Sequence, residues 1–156
     1  MNIRRAETRD MERINDLLYQ VELVHHNGRP DIFKCGAKKY TDEELTAIIN
    51  NDNTPIFVYE DDNGIVQGYA FCIFQQYVNS NLMTDIKTLY IDDLCVDENV
   101  RGQKIGTKLY NHVVAFAKEQ GFYNVTLNVW ELNQSAKKFY ESLGLKVQKT
   151  YMETIL

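Results

Sequence analysis

The stretch from residue 87 to residue 130 constrains the fold more than any other part of the chain. Leu89-Tyr90-Ile91-Asp92-Asp93-Leu94-Cys95-Val96 is rich in β-branched and aromatic residues and marks a strand over residues 87 to 96, broken by the polar turn Asp97-Glu98-Asn99. Ile105, Leu109, Val113, Phe116 and Ala117 then recur at helical spacing, with Lys108, Asn111, Lys118 and Glu119 between them and Gly121 as a C′ stop. Asn124 to Trp130 reads as a second strand. Strand, helix and strand in that order form a β-α-β crossover, so the two strands are parallel neighbours.

The loop that opens the helix, Arg101-Gly102-Gln103-Lys104-Ile105-Gly106, is basic and carries glycine. The first turn of a helix has backbone N–H groups without intrahelical partners, and the aligned peptide dipoles add partial positive charge. Such a site attracts phosphate. Gly102 and Gly106 allow an anion close to the backbone, and Arg101, Lys104 and Lys108 surround it with cations, which points to a ligand bearing pyrophosphate.

Around this crossover the remaining elements fall into place. Residues 2 to 6 read as a short strand, and Thr8 is the expected N-cap of a helix carrying Met11, Ile14, Leu17, Leu18 and Val21 on one face. A loop is expected at His25-His26-Asn27-Gly28-Arg29-Pro30-Asp31, followed by a helix capped by Thr41-Asp42-Glu43-Glu44 and ending near Asn50. Pro55 to Glu60 and Ile65 to Gln76 form a hairpin across Asp61-Asp62-Asn63-Gly64. Ala136, Phe139, Tyr140 and Leu143 mark a last short helix stopped by Gly144, and Leu145 to Leu156 is expected to add one or two strands. The fold class is α/β: a mixed sheet, antiparallel in its first half, with a parallel crossover in the second.

A chain of 156 residues fits one domain over 1–156, without a metal or disulfide to hold it. Its three cysteines, Cys35, Cys72 and Cys95, are odd in number and far apart, which suits a reducing cytoplasm and excludes a Cys-x-x-Cys metal site. The charged start and the absence of a long apolar run argue against secretion or a membrane span. A net charge of −5 argues against general nucleic-acid binding and favours a cationic small molecule.

Two motifs together resemble the GCN5-related N-acetyltransferase (GNAT) superfamily over nearly the full chain. Asp93-Leu94-Cys95-Val96 followed by Arg101-Gly102-Gln103-Lys104-Ile105-Gly106 is similar to the family's acetyl-coenzyme A loop, Gln/Arg-x-x-Gly-x-Gly/Ala. Asn133-Gln134-Ser135-Ala136-Lys137-Lys138-Phe139-Tyr140-Glu141-Ser142-Leu143-Gly144-Leu145 is similar to its Asn-x-x-Ala-x-x-Phe-Tyr-x-x-x-Gly-Phe segment. Lys104 departs from the pattern, standing where the loop usually has its middle glycine.

The resemblance implies acetyl transfer from acetyl-coenzyme A to a primary amine of a small molecule, in a cytoplasmic enzyme without a metal, with a homodimer as a plausible assembly. It places the cofactor on Leu94, Cys95 and Val96 of a splayed strand, on Arg101 to Thr107, including Gln103 and Ile105, and on Asn133 and Lys138. A backbone N–H near Leu94 or Cys95 would stabilise the oxyanion. Tyr140 is the expected proton donor to the thiolate, set against a reading as a core aromatic. Asp92 is the expected base, set against a solvated strand edge, with Glu131 as a second possibility. Because Asp92 and Asp93 are adjacent on a strand, their side chains are expected on opposite faces. His25, His26, Phe33, Asp93 and Glu131 are the candidates to touch the acceptor, and Tyr19, Phe74 and Tyr77 are further aromatic ones. The rival readings are a non-catalytic acyl-coenzyme A sensor and an acetyltransferase acting on a protein or peptide amine.

Overall fold

The computed structural model describes residues 2–156. Five strands form one sheet in the order β1-β2-β3-β4-β5: β1 Ile3–Arg5, β2 Ile56–Glu60, β3 Val66–Gln76, β4 Lys87–Val96 and β5 Asn124–Leu127. The first four are antiparallel to their neighbours, and β5 is parallel to β4. Helices α1 (Met11–Gly28) and α2 (Asp42–Ile49) cover one face, α3 (Ile105–Glu119) covers the other, and α4 (Gln134–Ser142) follows β5.

Alternating side chains of the sheet divide the core in two. Ile56, Val58, Tyr69 and Phe71 pack with Ile14, Leu17 and Leu45 under α1 and α2. Phe57, Ala70, Leu89 and Ile91 pack with Ile105, Leu109 and Val113 under α3. Arg13 of α1 fastens the first layer to the sheet, donating to the Val66 carbonyl at 2.8 Å and pairing with the buried Asp97 just past β4. Burial raises the Asp97 carboxyl, but the Arg13 guanidinium and the hydrogen bonds from Asn99 together outweigh it and hold the group below the usual carboxylate range.

Three expectations are corrected. The first helix starts through a 3-10 turn at Thr8–Asp10, where the Asp10 carboxylate accepts from the Glu7 amide at 2.8 Å, so Thr8 is not the cap. The same helix runs on through Gly28, which puts His25 and His26 in its last turn rather than in a loop. Gly28 does not break the helix; it gives room, because a Cβ there would stand 2.9 Å from Leu132 Cδ1. Finally, residues 145 to 156 form no strand, and Val147, Tyr151 and Ile155 lie exposed. Lys149 and Glu153 interrupt their alternation, so neither side of the tail offers a continuous apolar face. Among the described residues, no helix is long and apolar enough to cross a membrane.

Candidate active site

β4 and β5 pair only from Thr88↔Asn124 to Ile91↔Leu127. β4 continues to Val96, still held by β3 through Leu94, Cys95 and Val96, while the chain after Leu127 leaves the sheet. The strands therefore diverge, and the β5-facing edge of residues 92–96 is open.

At the divergence the register with β3 slips. Phe71 pairs with Asp93 and Cys72 with Ile91, leaving Asp92 as an extra residue in β4. Ile91 packs with the α3 layer and so do Leu94 and Val96, whereas Cys95 joins the α1 layer. Two residues thus separate successive α3-facing positions, and both Asp92 and Asp93 fall on the α1 side. A β-bulge has this effect of re-aiming side chains, and it overturns the expectation of opposite faces.

Each carboxylate has its own surroundings. Asp93 accepts a hydrogen bond from the Tyr69 hydroxyl at 2.6 Å. It keeps a partly accessible edge, but protein crowds around it; burial pushes its carboxyl up, and the Tyr69 hydroxyl and Lys39 ammonium do not offset the rise. Asp92 accepts at 3.4 Å from both the Tyr40 hydroxyl and the Lys39 ammonium. Tyr40 is itself fixed by stacking on Phe71, with ring centroids 5.9 Å apart. For Lys39 burial favours the neutral amine, yet Asp93 and Asp92 together hold its pKa above the ordinary value. One ammonium thus serves two carboxylates.

Tyr140 approaches from α4. Burial, then the charge of Asp93, raises its phenol well above the usual value, so it stays protonated at neutral pH. Cys95 Sγ points to the Leu17 carbonyl at 3.7 Å, and burial pushes its thiol up to about 12. A thiol so placed supplies no thiolate at neutral pH, which agrees with a packing role.

On the α3 side, α3 begins without a side-chain cap, unlike α2, capped by Thr41, and α4, capped by Asn133. The preceding loop holds Gly102 at φ 92°, with nothing within 4 Å of where a Cβ would stand. Lys104 adopts φ 59°, a left-handed conformation that explains why glycine suits this position. The first amides of α3 thus have no side-chain acceptor, which leaves them to meet an anion such as a diphosphate. Lys108 turns elsewhere, its ammonium 5.5 Å from the Tyr59 ring centroid. Gly106 faces Phe139, whose Cζ would lie 3.2 Å from an added Cβ, so its lack of a side chain serves the contact between α3 and α4.

The other expected residues divide. His25 stacks on Phe33 with centroids 4.8 Å apart, and Phe33 meets Trp130 edge-on at 5.0 Å. This aromatic group stands where the chain leaves β5, with His25 in the neighbourhood of Asp93. His26 Nδ1 lies 2.8 Å from the Phe33 carbonyl and pins the turn after α1. Asn133 Oδ1 is taken up by the Ala136 amide at 3.1 Å, and Lys138 is exposed. Glu131 pairs with Lys137 at 3.3 Å and with Gln134, which leaves it in solvent at the head of α4. Tyr19 and Tyr77 are exposed, and Phe74 packs on Phe122 by the start of β4. Sequence reasoning missed Lys39, Tyr40, Tyr69 and Trp130. Only Trp130, at the end of the expected strand, carried a positional signal.

A model described as "Acetyltransferase (GNAT) family" matches residues 21–145. A crystal structure of a BH1408 protein variant from Bacillus halodurans is 32% identical, covering 100% of this chain and 99% of that one with a TM-score of 0.95. Streptothricin acetyltransferase A of Bacillus subtilis is 29% identical over 69% of this chain and 65% of its own length. A soil metagenomic aminoglycoside acetyltransferase, solved with sisomicin, is 24% identical with a TM-score of 0.74 over 99% of this chain and 95% of its own, a likeness of fold alone. Against curated relatives the chain spans from 26% to 65% of their length. With the mixed sheet, the diverging parallel strands and the match over residues 21–145, the chain belongs to the GNAT acetyltransferase family.

Proposed function

We propose that this chain moves an acetyl group from acetyl-coenzyme A to a primary amine of a small cationic molecule, by direct attack with both substrates bound. The observation that carries the reading is the bulge at Asp92, which sets two carboxylates side by side at the open edge of a diverging strand pair. When bound, acetyl-coenzyme A would supply an activated acyl carbon and the coenzyme A thiolate as leaving group.

The residues divide the work. The uncapped first turn of α3 would receive the diphosphate, with Arg101, Gly102, Gln103, Lys104, Ile105, Gly106 and Thr107 around it. The open edge at Leu94, Cys95 and Val96 orients the pantetheine arm through main-chain groups. Asp92, on the accessible side of the pair, takes the proton that the acceptor ammonium must lose. Tyr140, kept protonated, would give its proton to the leaving thiolate. Holding both reactants together removes the need for an acyl-enzyme.

The acceptor class follows from charge and shape. A cavity of about 490 Å³ lies between α1 and the segment before α2, walled by Glu12, Asp16 and Asp42 and reaching Lys39. Lys38 also lines it and is paired with Asp42, so Glu12 and Asp16 are the carboxylates left to meet a cation there, and with the net charge of −5 they support a molecule with more than one amino group. Incubating the protein with acetyl-coenzyme A and spermidine, sisomicin, glucosamine 6-phosphate or a lysine peptide, with free thiol as readout, tests this. Thiol release with the polyamine or aminoglycoside is expected; cofactor binding without release across the panel would overturn the reading in favour of a sensor.

A further inference from the structure

The amine nearest the proposed base belongs to the protein itself. Lys39 Nζ stands 3.4 Å from Asp92 Oδ2 and 5.4 Å from the centroid of the Tyr40 ring. It occupies the place that an acceptor ammonium must reach to hand its proton to Asp92. The segment that carries it has no helix or strand between Gly28 and Asp42, so it can shift without unmaking regular structure. Its neighbour Lys38 points away and pairs with Asp42 at 2.8 Å in solvent. Two lysines adjacent in sequence thus differ in one respect: Lys39 faces the carboxylate pair.

We propose that Lys39 is a site of self-acetylation, serving as an intramolecular acceptor when no small amine is bound. The inference rests on the acetyl-transfer reading above. In the step, the Lys39 ammonium gives one proton to Asp92, and the freed lone pair forms the C–N bond to the acetyl carbon. The C–S bond breaks, its electron pair leaves with sulfur, and Tyr140 protonates the thiolate. The nitrogen loses its second proton as the amide forms, and that proton restores Tyr140. The products are Nε-acetyllysine, coenzyme A thiol and one proton, which Asp92 returns to solvent. Acetylation removes the ammonium beside Asp92, so in a modified chain the Asp92 carboxylate keeps the Tyr40 hydroxyl but no cation and is free to pair with the next amine. Tethering favours this transfer over reaction with a free lysine, because the amine is already held beside the proposed base.

The full chain incubated with acetyl-coenzyme A and no acceptor, then digested and read by mass spectrometry, tests the proposal. Expected is a gain of one acetyl group, with Lys39 modified at least about tenfold faster than Lys38, and loss of that preference in Asp92→Asn. Equal labelling of Lys38, Lys39 and the other exposed lysines would show solution chemistry only and overturn the inference. An unmodified Lys39 beside normal thiol release with spermidine would overturn it while leaving the acetyl-transfer reading intact; failure of both assays would remove both. A readout without cofactor checks the contact. In spectra of the 15N-lysine-labelled protein, Asp92→Asn should lower the titration midpoint of Lys39 and leave Lys38 unmoved, and identical behaviour of the two lysines would remove the contact that the transfer needs.

Discussion

The Tyr69 hydroxyl donates to the Asp93 carboxylate at 2.6 Å, joining a fully buried side chain of β3 to the bulged stretch of β4. The bond holds an acid that its surroundings disfavour in the ionised form. Removing the donor leaves that carboxylate without its partner, so Tyr69→Phe should lower stability by about 1–3 kcal/mol, read from the denaturant midpoint.

The same pair predicts a pH dependence with a definite sign. Burial raises the Asp93 carboxyl above its ordinary 3.8, so between that value and its folded pKa the folded chain binds more protons than the unfolded one. Stability contributed by Asp93 is therefore present below about pH 4 and falls as pH rises through the folded pKa. Asp93→Asn, an uncharged isostere, should abolish this contribution: relative to the wild type it gains stability at pH 7 compared with pH 4. Parallel unfolding curves at the two pH values would contradict the assignment.

Asp92 carries the proton-transfer step in the proposed reaction. Asp92→Asn keeps the shape and removes the base, so kcat should fall about a hundredfold while coenzyme A affinity by calorimetry stays within about twofold. The loss should shrink as pH rises, because more of the acceptor amine is then free of its proton without help. A variant with wild-type turnover at pH 7 would remove Asp92 from the role.

The elements around this site were legible in the sequence, but the bulge was not. Periodicity and breakers located β4 to the residue, and the family motifs marked the head of α3, because those signals are local. The register of β3 against β4 is set across a connection from Tyr77 to Ile86, with no short turn to fix it, so the slip at Phe71 and Cys72 left no mark in the pattern. Alternation then assigned Asp92 and Asp93 to opposite faces. Lys39 and Tyr40 were hidden for a related reason: they sit in a segment without periodicity, brought to Asp92 by tertiary packing. Gly28 misled because glycine punctuates helices in solvent, whereas here it lies against Leu132, where a side chain would not fit.

Lys104 holds a left-handed conformation at φ 59°, which costs a residue with a Cβ about 1–2 kcal/mol. Lys104→Gly should raise stability by about 1 kcal/mol, visible as a higher Tm, although the greater freedom of glycine in the unfolded chain offsets part of the gain. If the lysine contributes charge to the diphosphate, the same variant should bind coenzyme A more weakly at low salt and nearly as well at high salt. Equal affinity at both would limit Lys104 to its backbone role.

Tyr140 and Gly106 are linked through Phe139, which precedes Tyr140 on α4 and lies against Gly106 at the start of α3. Tyr140→Phe removes only the phenol proton, so turnover should drop about tenfold or more with cofactor affinity unchanged. Gly106→Leu should lower both, and two causes compete: its side chain could block the approach of the diphosphate, or it could push the Phe139 ring, and with it Tyr140, away from β4. Phe139→Ala separates them, because it makes room for the leucine without touching the anion's path. Recovery of coenzyme A affinity in the Gly106→Leu/Phe139→Ala double variant is expected from the 3.2 Å approach of the ring, and persistent weakness would place the blocked volume over the helix amides instead.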